Sequence, residues 1–237
     1  MALAVESAAV EWSLWSYVLI MVVGIGWFAS WSRDPKDLGR APYYVAIAIL
    51  LWSTLCHVVL ALGGGRTVVD GHLVDWARYA DWAVTAPLLV IALSMTATHA
   101  LADKRPGTVV VAVLLAVSMI GLGLAADLVT DPLGRYLVYG LGMLALIALF
   151  AVIWGPWRAA AARQPEPMPR LYRNVAWSLS ALWVAFPLVW VLGPAGLELF
   201  GEAANTILFL VLGVLMKVVW SLVDLGQLRS FGPPRVR

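Results

Sequence analysis

Seven long apolar runs, separated by short stretches rich in Gly, Pro and charge, set the limits on what this chain folds into. They cover roughly 12–32, 42–63, 76–98, 107–127, 133–154, 171–192 and 204–228. Each is long enough to cross about 30 Å of hydrocarbon as a helix. The breakers are short: SRDPKDLGRAP, GGGRTVVDGH, HALADKRPG, DLVTDPLGR, RAAAARQPEPMPRLYR and LGPAGLELFGE. Hydrophobic residues make up 62% of the chain and Asp, Glu, Lys and Arg only 13%, where a soluble protein carries about a quarter charged. The expectation is an all-α membrane protein, one seven-transmembrane-helix bundle over 1–237, multi-pass in the cell membrane with the lipid bilayer as its surroundings.

Orientation follows from Lys and Arg, which gather on the cytoplasmic side. Twelve of the 16 fall on one side of the expected bundle: Arg33, Lys36, Arg40, Lys104, Arg105, Arg158, Arg163, Arg170, Arg173, Arg229, Arg235 and Arg237. The opposite loops hold Arg66 and Arg135, and Arg78 and Lys217 lie inside spans. This places the N-terminus outside and the C-terminus in the cytoplasm. The first residues carry Glu6 and Glu11 and no basic residue, unlike a signal peptide, so the first span is read as retained. The single cysteine, Cys56, lies in an apolar run, which leaves no disulfide framework and no metal-ligand spacing. The basic residues sit in loops, as insertion requires, and form no nucleic-acid surface. No motif points to an enzyme.

A short set of ionisable groups remains within the spans: His57, Arg78, Asp81, Lys217 and Asp224. Each is costly in hydrocarbon, so they are expected to converge on the bundle interior. Arg78, Asp81 and Thr85 follow one another at helical spacing and share a face. Lys217 and Asp224 are seven apart, close to two turns or about 10.5 Å along a helix, and so lie on nearly the same face. A lysine in the middle of an apolar span suits either an ion pair with Asp81 or an imine to a carbonyl cofactor.

The third span, WARYADWAVTAPLL, closely resembles the third helix of the bacteriorhodopsin-type microbial rhodopsins, with Arg78, Tyr79, Asp81, Trp82, Thr85 and Pro87 in family register. In the sixth span Trp183, Phe186, Pro187 and Trp190 resemble the family's pocket wall, and Met119 and Gly123 in the fourth fall at pocket positions. Lys217 falls at the retinal-linking lysine. The resemblance implies all-trans retinal bound covalently to Lys217 as a Schiff base. It implies a pocket that also includes Leu89, Tyr139, Gly142, Gly213 and Met216, and a homo-oligomer. A long apolar polyene suits flat aromatic walls, and its buried cation needs an anion, here Asp81, with Arg78 one turn outward.

The chain departs from the outward pumps of that family. Eleven residues after Asp81, where they carry a cytoplasmic proton donor, stands Ala92. Four before the lysine, where most carry an aspartate, stands Gly213, and His57 replaces the tyrosine that bonds that aspartate. Asn205 stands at one extracellular release site, with Glu198 and Glu202 nearby but shifted. Asp224 is similar to the aspartate seven after the lysine in xenorhodopsins, the inward proton pumps, and in the Anabaena-type sensory rhodopsin, although those usually carry Pro where Gly213 stands. The resemblance implies a light-driven inward proton pump: Asp81 is the counterion, Asp224 the cytoplasmic proton acceptor, and Arg78 and His57 lie on the extracellular path. The alternatives are a photosensor signalling to a soluble transducer, or an outward pump lacking a carboxylate donor.

Overall fold

In hydrocarbon a backbone finds its hydrogen bonds only inside a helix or a closed barrel, and the apolar runs take the first solution. The computed structural model describes residues 2–69 and 71–230; Arg235 and Arg237, counted above on the cytoplasmic side, lie outside the described residues. Seven helices pack side by side: α1 (Ala2–Arg33), α2 (Ala41–Ala61), α3 (Trp76–Ala97), α4 (Pro106–Leu128), α5 (Pro132–Ala161), α6 (Met168–Leu192) and α7 (Glu202–Ser230). All seven are long and apolar enough to cross a membrane. Pro106 and Pro132 open α4 and α5, at the position where no backbone N–H is needed. Asp131 caps α5, its Oδ2 accepting from the Gly134 N–H at 2.6 Å.

Two helix bounds differ clearly from the expected spans. α1 begins at Ala2 rather than near 12. α5 runs to Ala161 rather than stopping near 154, because a π-helical turn over Ile153–Trp157 absorbs Pro156. A widened turn tolerates the missing N–H that would break a regular helix. A second π-helical turn, Leu215–Val219, lies in α7 and contains Lys217. The breaker between α2 and α3 folds into an antiparallel hairpin of β1 (Thr67–Val69) and β2 (His72–Val74), with Val69 opposite His72. Its β-branched residues and Asp-Gly pair are hairpin signals that the polarity of the segment masked. Gly65, at φ +72°, lets this loop press on α3: a Cβ there would lie 2.4 Å from Ala77 Cβ.

α3 and α7 occupy the middle of the bundle, with half of their most apolar stretch buried, against 17% for α4 and 22% for α5. The outer helices turn Val110, Leu114, Leu137, Leu144 and Ile147 outward, toward lipid. Polar groups that lipid excludes therefore collect on the central pair, and Arg78, Asp81, Thr85, Lys217 and Asp224 are all buried.

Candidate functional site

Lys217 is 0% exposed, as is Asp81. The Lys217 Nζ contacts Asp81 Oδ2 directly, joining α7 to α3 at mid-bundle. The same Nζ donates to Ser53 Oγ of α2 at 3.0 Å and to Tyr17 OH of α1 at 3.3 Å. Ser53 Oγ donates to Asp81 Oδ2 at 3.2 Å and lies 2.8 Å from Tyr17 OH. Four helices thus meet at one nitrogen. Asp81 Oδ1 is buried without a hydrogen-bond partner among the described residues. Thr85 spends its hydroxyl on the Asp81 main-chain carbonyl at 2.9 Å.

Arg78 does not turn toward Asp81. Its Nη2 contacts Asp75 Oδ2, and Asp75 also accepts from Arg66 Nε at 2.9 Å. The Arg78 guanidinium lies over the Phe209 ring, 4.6 Å from its centroid. Asp75 is three residues before Arg78, where α3 begins, so a carboxylate sits within reach on the hairpin side and draws the guanidinium outward. His57 Nδ1 lies 2.9 Å from the Ser53 main-chain carbonyl, so Nδ1 carries the proton there, and it stands 3.9 Å from Asp81 Oδ2. The His57 ring packs against Tyr17 at a 31° tilt, with centroids 4.1 Å apart.

A cleft of about 80 Å³ opens beside this centre, and its walls are almost wholly apolar. Of the residues expected to hold a chromophore, Trp82, Met119, Gly123, Tyr139, Gly142, Trp183, Phe186, Pro187, Trp190 and Met216 line it. Tyr79, Ala86, Ile120, Met143 and Phe209 complete the wall. Thr85, Leu89, Gly213 and Lys217 are buried beside the cleft without lining it. The chain neighbours of the ion pair, Trp82 after Asp81 and Met216 before Lys217, bring the cleft up to the lysine. A flat apolar slot with a buried primary amine and a carboxylate at one side fits a long apolar aldehyde such as retinal.

Asp224 faces the interior and not the boundary. It is 3% exposed and accepts from Thr96 Oγ1 of α3 at 2.8 Å. It lines a small cavity with Ala46, Ala92, Ser221 and neighbouring apolar residues, on the side of Lys217 away from the hairpin. On the hairpin side, a second cavity is lined by Asp75, Arg78, Tyr79, Asp127, Glu202 and Asn205 among others. Glu202 accepts from the Leu73 N–H at 3.3 Å. Asp127 is buried and accepts from Tyr79 OH at 2.9 Å and Trp190 Nε1 at 3.2 Å.

The sequence reading missed Tyr17, Ser53, Thr96, Asp75 and Asp127. The first three are common residues in apolar runs, and the two acids stand where polar breakers begin and end.

A bundle of seven spans built around a buried lysine–carboxylate pair and an aromatic slot defines a membrane protein made to hold a chromophore. The bacteriorhodopsin-like protein family matches residues 8–230, and the chain belongs to that family, whose members bind retinal through a lysine. It is 28% identical to sensory rhodopsin-2 of Natronomonas pharaonis over 89% of this chain and 86% of that one. The crystal structure of thermophilic rhodopsin from Rubrobacter xylanophilus superposes with a TM-score of 0.86 at 29% identity, covering 92% of this chain and 95% of that one. The light-driven proton pump of Coccomyxa subellipsoidea superposes with a TM-score of 0.83 at 26% identity, covering 92% and 96%.

Proposed function

We propose that the protein is a light-driven inward proton pump with retinal linked to Lys217. The observation that carries this is Asp224, a carboxylate buried inside α7 and held by Thr96, while α3 lines the same cavity with Ala92 and Met95 and brings no carboxylate to it. When bound, retinal supplies a light-driven isomerisation that re-aims the N–H of the Lys217 nitrogen. Asp81, in contact with that nitrogen, stays ionised and holds the positive charge in place. The aromatic walls, Trp82, Trp183 and Trp190 foremost, fix the slot and exclude water from it. Asp224 receives a proton at its carboxylate and passes it to the end carrying the C-terminus, which the Lys and Arg bias assigns to the cytoplasm. Return of a proton to the Lys217 nitrogen comes from the hairpin end, past Arg78, Asp75 and His57.

A solved relative that is a light-driven proton pump supports proton transport. Similarity to a sensory rhodopsin favours, as second reading, a photosensor that moves few ions. Cells expressing the protein with retinal, illuminated in unbuffered medium, are expected to alkalinise the medium, and a protonophore is expected to abolish the change. Acidification would overturn inward transport in favour of outward pumping, and a silent electrode would favour the sensor. Lys217→Ala is expected to give a colourless protein.

A further inference from the structure

Among the residues that meet Lys217, Tyr17 is the one supplied by α1. It belongs to a buried stripe on α1 formed by Leu14, Tyr17, Met21 and Phe28, at the three- and four-residue spacing of one helix face. The residue is 2% exposed.

In the retinal-free protein, where Lys217 is a free ammonium, counting protons fixes the direction of every bond around it; the Tyr17–Ser53–Asp81 part of the count does not depend on the lysine protons. Ser53 has one hydroxyl proton, and the carboxylate of Asp81 can only accept, so that proton goes to Asp81 Oδ2. Ser53 Oγ must then accept, both from Lys217 Nζ and from Tyr17. Tyr17 therefore donates its proton to Ser53 and accepts one from Lys217. Tyr17, Ser53 and Asp81 form one relay in which every hydroxyl is satisfied and the terminal acceptor is the anion. Donation by Tyr17 polarises the Ser53 hydroxyl and strengthens its bond to the carboxylate. His57 holds the same serine from its main-chain side and packs against the Tyr17 ring.

Gly213 of α7 lies against the same phenol. A Cβ at that position would lie 3.0 Å from both Tyr17 Cε2 and Tyr17 OH, and 3.4 Å from Cζ. The phenol occupies the space into which a side chain at 213 would project, so Tyr17 and the bare glycine are one arrangement. The groups facing Asp81 are then Lys217 from α7, His57 and the Cys56 thiol from α2, the Tyr17–Ser53 pair from α1 and α2, and Arg78 on its own helix, turned away to Asp75. The centre has a single anion in contact with its cation, and a neutral phenol stands where a residue at 213 could have placed a second charge.

We propose that Tyr17 is a positioning residue for the Lys217–Asp81 pair: its phenol fills the space above Gly213 and, through Ser53, holds the Asp81 carboxylate in its ionised form. The proposal rests on the retinal–Lys217 part of the function above and is independent of transport direction.

The test is the pH titration of the pigment's colour, which follows protonation of the counterion. Tyr17→Phe keeps the ring and removes the relay proton. It is expected to shift the absorption maximum and to raise the midpoint of the acid colour transition by about one pH unit, a tenfold change in proton affinity. Ser53→Ala is expected to move the midpoint the same way, and serves if Tyr17→Phe gives no folded protein. An unchanged spectrum and midpoint in both variants would reduce Tyr17 to a packing residue and overturn the proposal. The retinal-free protein gives a separate readout. Gly213→Ala is expected to lower its melting temperature when Tyr17 is present, and not in a Tyr17→Leu background, where the ring is gone. Equal loss in both backgrounds would break the Tyr17–Gly213 pairing. If wild-type protein forms no pigment with retinal, the functional assignment fails, and the retinal-free cycle still decides whether the phenol and the glycine are coupled. Acidification on illumination with the expected colour shift would instead sink inward transport alone.

Discussion

Asp127 illustrates how far one buried side chain can reach. Its two carboxylate oxygens accept separately, from Tyr79 OH and Trp190 Nε1, and both donors line the aromatic cleft. One acid on α4 therefore orients walls contributed by α3 and α6, and the same acid lines the cavity on the hairpin side. Asp127→Leu would leave a buried phenol and a buried indole N–H without this acceptor, at about 1–3 kcal/mol for each. The expected outcome is a melting temperature several degrees lower and an altered absorption band. Asp127→Asn retains one oxygen for Trp190 and can donate to Tyr79, so a much smaller loss is expected. Thermal melts followed at the visible band check both, and equal loss for the two variants would show that charge, not hydrogen bonding, is what Asp127 contributes. Asp127 was not legible in the sequence, because it follows an apolar run as the first residue of DLVTDPLGR and looks like the start of a breaker. Lys217 and Asp81 were legible because hydrocarbon makes any charge conspicuous. Tyr17, Ser53 and Thr96 carry no such mark, and their roles come from neighbours more than 25 residues away in the chain.

At the scale of elements, the seven spans followed from composition alone, since an apolar run of this length has few alternatives to a transmembrane helix. The longer α5 and the hairpin have local causes. Pro156 reads as a stop until a π-helical turn accommodates it, and the hairpin is hidden in a segment whose Gly and charge content says only that it is a loop. The segment after α5 was likewise read as a plain connection, yet it supplies the cap of another helix. Gln164 donates through Nε2 to the main-chain carbonyls of Thr96 at 3.1 Å and Ala97 at 2.8 Å, and its Oε1 accepts from the Ala100 N–H at 2.7 Å. Helix C-termini leave carbonyls without intrahelical partners, and here a buried amide from α5's end supplies them. Thr96 is also the partner of Asp224, so the cap fixes the residue that fixes the acid. Gln164→Ala is expected to destabilise the protein by about 1–3 kcal/mol. Chemical unfolding in detergent measures this, and stability within about 0.5 kcal/mol of wild type would mean that solvent replaces the cap.

Across the whole molecule, the polar groups on the two sides of Lys217 are unequal. Toward the hairpin, Arg66, Asp75, Arg78, Asp127, Glu202 and Asn205 are spread over α3, α4 and α7 and the hairpin loop, and Asp75 bridges two arginines. Toward the other end, Asp224 is the acid lining the cavity below Lys217, with Ala92 across from it. A proton leaving the lysine nitrogen toward that end would meet one acceptor of known position, whereas the hairpin side offers several exchangeable groups. Asp224→Asn is therefore expected to slow or abolish proton movement to the C-terminal end while leaving the colour nearly unchanged, because Asp224 lies about two turns from the lysine. The cavity geometry adds a sharper expectation. Ala92 and Asp224 line one space from facing helices, so Asp224→Asn with Ala92→Asp returns a carboxylate to the same cavity from the opposite wall. That double variant is expected to regain part of the light-driven pH change lost in Asp224→Asn. Flash-induced pH changes in vesicles separate these outcomes. A double variant as inactive as Asp224→Asn, with its pigment intact, would mean that the position of the acid on α7, and not its presence in the cavity, is what the proton requires.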